Sequence, residues 1–128
     1  MELNRITDKI IGAAITVHKE LGPGLLESVY QRCLYEELKL TNLSVLQEVV
    51  VPIQYRSKHI ADEGFRLDLL VEDRVIVELK SVEKVLPVHA KQLLTYLRLT
   101  RNPLGLLINF NVPVLKDGIT RLVNAVAP

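Results

Sequence analysis

The chain has 128 residues, 48% of them hydrophobic, and its 16 Lys and Arg against 15 Asp and Glu give a formal net charge of +1. That length and apolar content suffice for one core, burying roughly two-thirds of the unfolded surface, so residues 1–128 are expected to form a single domain. A near-neutral balance excludes a histone-like or polybasic nucleic-acid binder and equally an acidic disordered tail, so any contact with nucleic acid must come from a local patch.

The first 40 residues read as two helices. Ile6, Ile10, Ala13, Ala14, Val17 and Leu21 recur at helical spacing, with Asn4 as the expected N-cap, and Gly22-Pro23-Gly24 ends the run. A second helix is expected from about Leu25 to Leu40–Asn42, with Leu26, Val29, Tyr30, Cys33 and Leu34 on its apolar face. From Leu43 the period changes. Val45–Tyr55 is rich in β-branched residues and reads as a strand, which Pro52 assigns to an edge or a bulge. Phe65–Val71 and Val75–Lys80 read as a hairpin closed by Glu72-Asp73-Arg74. Pro87 opens a third helix to about Leu99, with Ala90, Leu93, Leu94 and Leu97 facing the core. Leu104–Phe110 is a nearly unbroken apolar run, as expected of a strand covered on both faces and parallel to its neighbour. Lys116-Asp117-Gly118 is a turn before a last short strand at Ile119–Val123.

The single cysteine, Cys33, permits no disulfide and reads as a small buried hydrophobe; no second Cys or His pair has the spacing of a structural zinc site. The opening MELNRITDKII has no apolar leader segment, and the longest apolar runs are too short or too interrupted to span a bilayer, so no membrane partner and a cytoplasmic setting are expected.

Chemistry concentrates in Phe65-Arg66-Leu67-Asp68 and Val77-Glu78-Leu79-Lys80. Alternate residues of a strand share a face, so Glu78 and Lys80 point one way and Val77 and Leu79 the other. The hairpin brings Asp68 onto the neighbouring strand within reach of Glu78. Two carboxylates and an ammonium on an otherwise apolar sheet are costly unless paired or metal-bound, and hard carboxylate oxygens suit Mg²⁺ or Mn²⁺. A surface ion pair at a strand end is the plainer alternative. Glu27 and Tyr30 lie at i and i+3 on the second helix, and Gln92 and Tyr96 at i and i+4 on the third. Each also has an ordinary reading: a helix-dipole partner, a core edge, a solvated side chain.

Taken in order, these segments resemble the GxxExxY protein family, whose name-giving motif is matched by Gly24-Leu25-Leu26-Glu27-Ser28-Val29-Tyr30. The likeness continues through Val17-His18-Lys19-Glu20-Leu21-Gly22-Pro23, Asp68-Leu69-Leu70-Val71, Glu78-Leu79-Lys80-Ser81, His89, Gln92–Leu97 and Gly105–Phe110. That family is placed in the RecB-like branch of the PD-(D/E)XK nuclease superfamily. The resemblance implies an α/β, restriction-endonuclease-like fold with an αβββαβ core, a mixed central sheet flanked by helices and one extra N-terminal helix. It assigns metal binding to Asp68, Glu78 and the Leu79 carbonyl, with Glu27 as further ligand or support, and the catalytic lysine to Lys80. It matches Gln92 and Tyr96 to a QxxxY motif that contacts DNA or braces the site. At the "PD" element, Leu67 stands where the pattern has Pro.

The resulting expectation is an Mg²⁺- or Mn²⁺-dependent nuclease acting on DNA. Lys84, His89, Lys91 and Arg98 around the third helix are the expected nucleic-acid contacts, alongside Lys80 and Arg101. His89 equally suits a hydrogen bond at a helix terminus, His18 a packed position, and His59 a polar surface loop. The competing reading is a non-catalytic nucleic-acid- or protein-binding module on a nuclease fold. A homodimer would let so small a domain grip a duplex, and docking on a larger complex is the other arrangement. No GxSxG, Walker or GxGxxG signature points to unrelated chemistry.

Overall fold

The computed structural model describes residues 1–125, so the last three positions of the domain expected over 1–128 lie outside the described residues. Two helices lead: α1 (Leu3–Leu21) and α2 (Glu27–Lys39). Three strands follow: β1 (Val45–Tyr55), β2 (Lys58–Val71) and β3 (Val75–Lys80). Then come α3 (Pro87–Thr100), β4 (Leu104–Asn109), a 3₁₀ turn at Leu115–Gly118 and β5 (Ile119–Val123). The sheet runs β1-β2-β3-β4-β5, with β3 and β4 parallel across the α3 crossover and every other pair antiparallel. This is the mixed, helix-flanked sheet with an extra N-terminal helix that the motif order implies.

Alternation sorts the strands' apolar residues onto two faces. Val75, Val77 and Leu79 of β3, with Leu104, Leu106 and Ile108 of β4, pack beneath α1 and α2. Ile76 and Leu107 face the other way, beneath Leu93 and Leu97 of α3. All six residues of β4 are buried, as a strand covered on both sides requires. Gly105 sits where α3 crosses: a Cβ there would lie 3.0 Å from three atoms of Leu93, so glycine allows the close approach.

Several local expectations are corrected. The N-cap of α1 is Glu2, without a side-chain cap, and Asn4 falls inside the first turn. The buried stripe of α2 is Tyr30, Leu34 and Leu38, a clean i, i+4, i+8 row. Leu26 and Val29 are exposed instead: Leu26 is the extended N-cap before the helix begins, and Val29 lies beside the buried row rather than on it; Leu21 and Leu94 are likewise at the surface. Cys33 is partly buried against the α1–α2 core. β2 begins at Lys58, seven residues before the expected strand start. Arg56 and Ser57 close the β1–β2 hairpin with φ of 51° and 65°, the two left-handed residues of a type I′ turn, without the Asn-Gly signature that would announce one. Pro52 lies on the edge strand at a register shift between Val51 and Ile53, as expected.

Candidate active site

The β2–β3 ladder pairs Val71 with Val75, Leu70 with Ile76 and Leu69 with Val77, and the next step would set Asp68 opposite Glu78. There the ladder ends, and side chains replace it. The Asp68 N–H donates to Glu78 Oε2 at 2.8 Å, and the Leu79 N–H donates to Asp68 Oδ2 at 2.8 Å. Each carboxylate thus satisfies a main-chain donor of the strand that carries the other. A strand residue's N–H and C=O point to the same edge, so the Leu79 carbonyl opens onto the gap that Asp68 occupies.

β1 and β2 turn over together at this point. Leu69 and Val71 pack beneath α1 and α2, whereas Phe65 and Leu67, of the same parity, pack beneath α3; Val45 and then Val49 and Val51 make the same change on β1. Between the pairs Gln47–Leu69 and Val49–Leu67 stands Glu48, facing Asp68 with a left-handed φ of 53°. Such a conformation costs a non-glycine residue about 1–3 kcal/mol. It rotates the strand and frees the Asp68 position from regular pairing. Glu48 also receives a hydrogen bond from Gln31 Nε2 at 3.2 Å.

Burial dominates the electrostatics. Glu78 is 7% exposed, and its carboxyl is pushed up to about 8, first by desolvation and then by the charge of Asp68, against the Asp68 N–H bond and Lys80. The Asp68 carboxyl is raised too, first by desolvation; the Leu79 N–H bond opposes this, Glu48 adds to it, Lys80 lowers it and Glu27 adds least. Lys80 shares the Glu78 face, yet among the described residues it makes no ion pair within 4.0 Å; the four pairs present are Arg32–Glu36, Lys39–Glu36, His59–Asp62 and Arg66–Glu63. The two acids therefore cannot both ionise cheaply without a further cation. Among the described residues no group of three or more His, Cys, Asp or Glu could hold a metal ion, so Glu27 is not drawn into one cluster with the pair. Two hard carboxylates and a carbonyl are the kind of oxygen donors a hard divalent cation takes, with waters completing its shell.

The remaining candidates divide by location. Tyr96 lies beside the pair: its hydroxyl is held above the usual range by burial first, then by Glu78 and Asp68. Its ring stacks on Phe65, centroids 4.3 Å apart and 7° from parallel. Gln92, one turn earlier, is exposed. Tyr30 is fully buried away from the acids, stacked on Phe110 at 4.5 Å. Its hydroxyl donates to the Gly22 carbonyl at 2.5 Å and accepts from the Leu25 N–H at 3.1 Å. Tyr30 thus fixes the loop that delivers Glu27 at the start of α2, and Ser81 ties that loop to the end of β3 through the Leu25 carbonyl at 2.5 Å. Asn109 pins the chain just beyond Lys80, bonding both Val82 N–H (3.1 Å) and Val82 C=O (2.9 Å).

His89 caps α3, its Nδ1 accepting the Leu86 N–H at 3.1 Å. His18 is buried and bonded through Nε2 to the Val112 carbonyl at 2.8 Å. Lys84, Lys91 and Arg98 are exposed. Sequence reasoning missed Glu48, Phe65 and Asn109: alternation gives no sign that a strand will reverse its faces, and Phe65 and Asn109 look like ordinary strand residues.

Comparison with known proteins adds one finding. A family model described as the PD-(D/E)XK nuclease superfamily matches residues 4–122 of the chain. No curated protein and no solved structure matches it.

Proposed function

The chain belongs to the PD-(D/E)XK nuclease superfamily, and from that premise we propose that it is a divalent-metal-dependent phosphodiesterase acting on DNA. The observation that carries the reading is the reciprocal bonding of Asp68 and Glu78 across the parted strands, with Lys80 on the Glu78 face. The strand geometry holds two desolvated carboxylates together that ionise cheaply only around a cation. Asp68, Glu78 and the Leu79 carbonyl would hold Mg²⁺ or Mn²⁺, with Glu27, outside that cluster, in support as a nearby negative charge. Such an ion supplies charge for phosphoryl oxygens and acidifies a bound water.

The chain's own groups do the rest. Lys80 orients the attacking water and offsets the negative charge that grows on the phosphoryl group. Tyr96, set against Phe65, and Gln92 brace the site or the substrate strand. Lys84, Lys91, Arg98 and the free edge of His89 supply the local basic patch that the near-neutral chain requires. The finer placement in the GxxExxY family and the RecB-like branch is supported by Gly24 through Tyr30, where Gly24 takes a φ of 95° and Tyr30 ties the loop. We place the protein in the cytoplasm as a single domain over 1–128, in keeping with its free thiol; no helix among the described residues is long and apolar enough to cross a membrane.

Incubation with Mn²⁺ and plasmid, linear duplex or single-stranded DNA tests the activity. Wild type should cut at least one of these, with Lys80→Ala and Asp68→Ala slower by roughly 10²-fold or more. Equal cleavage by wild type and both variants would overturn the assignment.

A further inference from the structure

Among the described residues seven non-glycine positions take a left-handed φ, and six of them stand in turns or at a helix end: Asn42, Arg56, Ser57, Glu72, Asp73 and Arg101. Glu48 alone does so within a strand. The departure is not a bulge. The β1–β2 register is the same on both sides of it, Gln47 with Leu69 and Val49 with Leu67, so no residue is added and Glu48 keeps its place opposite Asp68 without pairing to it. On the other side β3 brings Glu78 level with Asp68, and each of those carboxylates bonds the strand that carries the other.

Three acids thus lie abreast on three neighbouring strands, and like charges set opposite each other destabilise a sheet. Strain and repulsion at one position are both unfavourable, and packing does not offset them, because Glu48 is exposed. Burial is the first cause that raises the Asp68 and Glu78 carboxyls, and the Glu48 charge adds to both. Glu48 is also tied to the second helix. Gln31 donates to Glu48 Oε1 at 3.2 Å, and Gln31 lies one turn on from Glu27, on the same face of α2. A charge on an edge strand guards against pairing with another chain, but that purpose needs neither a left-handed backbone nor an acid level with Asp68.

We propose that Glu48 is a positioning residue of the acid site: its strained backbone holds a third negative charge beside Asp68, which raises the affinity of the site for a divalent cation, and its bond to Gln31 sets the Glu27 end of α2 against the same site. This rests on the nuclease reading above and extends it to a residue outside the motifs named there. Among the described residues Glu48 forms no ligand cluster with the pair, so it acts by charge and placement rather than as a direct ligand.

Calorimetric titration with Mn²⁺ at pH 7, together with thermal unfolding in chelator, separates this role from a purely structural one. Glu48→Gln removes the charge but keeps the shape and an acceptor for Gln31, and Glu48→Gly also relieves the left-handed strain. Both variants should bind Mn²⁺ on the order of tenfold more weakly than wild type, as one unit charge facing a divalent ion near a protein surface implies. In chelator Glu48→Gly should melt a few degrees above wild type, and Glu48→Gln no lower than wild type. A residue that only supports the fold would do the reverse. Wild-type Mn²⁺ affinity in Glu48→Gln, or midpoints lowered in both variants, would overturn the role of Glu48 while leaving the nuclease reading standing. Absence of Mn²⁺ binding in wild type would overturn both.

Discussion

At the scale of single residues, Glu78 is the most informative side chain. Its carboxyl ionises near 8 in the folded protein and near 4.5 when unfolded, because burial and Asp68 both oppose its charge. The folded state therefore holds its proton more tightly. The stability this confers is complete below about pH 4.5 and is lost as pH rises through about 8. At about 1.4 kcal/mol per pH unit the loss is on the order of 5 kcal/mol, shared with Asp68, whose carboxyl shifts the same way. In chelator, the thermal midpoint should fall between pH 5 and pH 8. Glu78→Gln should flatten that dependence, and Mn²⁺ should raise the wild-type midpoint more at pH 8 than at pH 5. An unchanged slope in the Gln variant would detach the effect from this residue. Glu78 and Lys80 are legible in the sequence because strand alternation alone puts them on one face. Glu48 is not: its influence depends on a left-handed conformation that no local signature of the strand announces.

Elements position these residues by what they bury. α3 holds Tyr96 over the acid pair because Leu93 and Leu97 are sunk against β4, and Gly105 makes the approach close enough. Gly105→Ala should push α3 outward, costing about 1–3 kcal/mol in urea unfolding; cleavage should fall with it as Tyr96 moves. Unaltered stability would show that Leu93 can yield. The helices, β3 and β4 could be anticipated, since each carries a long periodic or unbroken apolar signal. The first half of β2 could not. Lys58–Gly64 is mostly polar and exposed, and it is a strand only because β1 lies beside it and Arg56-Ser57 accept the turn. The Tyr30 motif was legible as a pattern, but its chemistry was not: the hydroxyl bonds Gly22 and Leu25 and serves the acid site only by fixing the loop before Glu27.

For the whole molecule, the net charge of +1 describes the metal-free chain. Among its fifteen acids, Asp68 and Glu78 are turned inward around a gap, and a divalent ion there would raise the charge by two where a phosphate must sit. A modest basic patch would then suffice to attract a phosphodiester substrate without a polybasic surface. The central claim is that this pair is a cation site, and calorimetric titration of Mn²⁺ at pH 7, repeated in two buffers of different ionisation enthalpy, tests it most directly. Wild type should bind with release of about one proton, since ionised Glu78 replaces a protonated one, and Glu78→Ala should abolish the binding. No heat of binding in wild type, or undiminished binding in Glu78→Ala, would contradict the account.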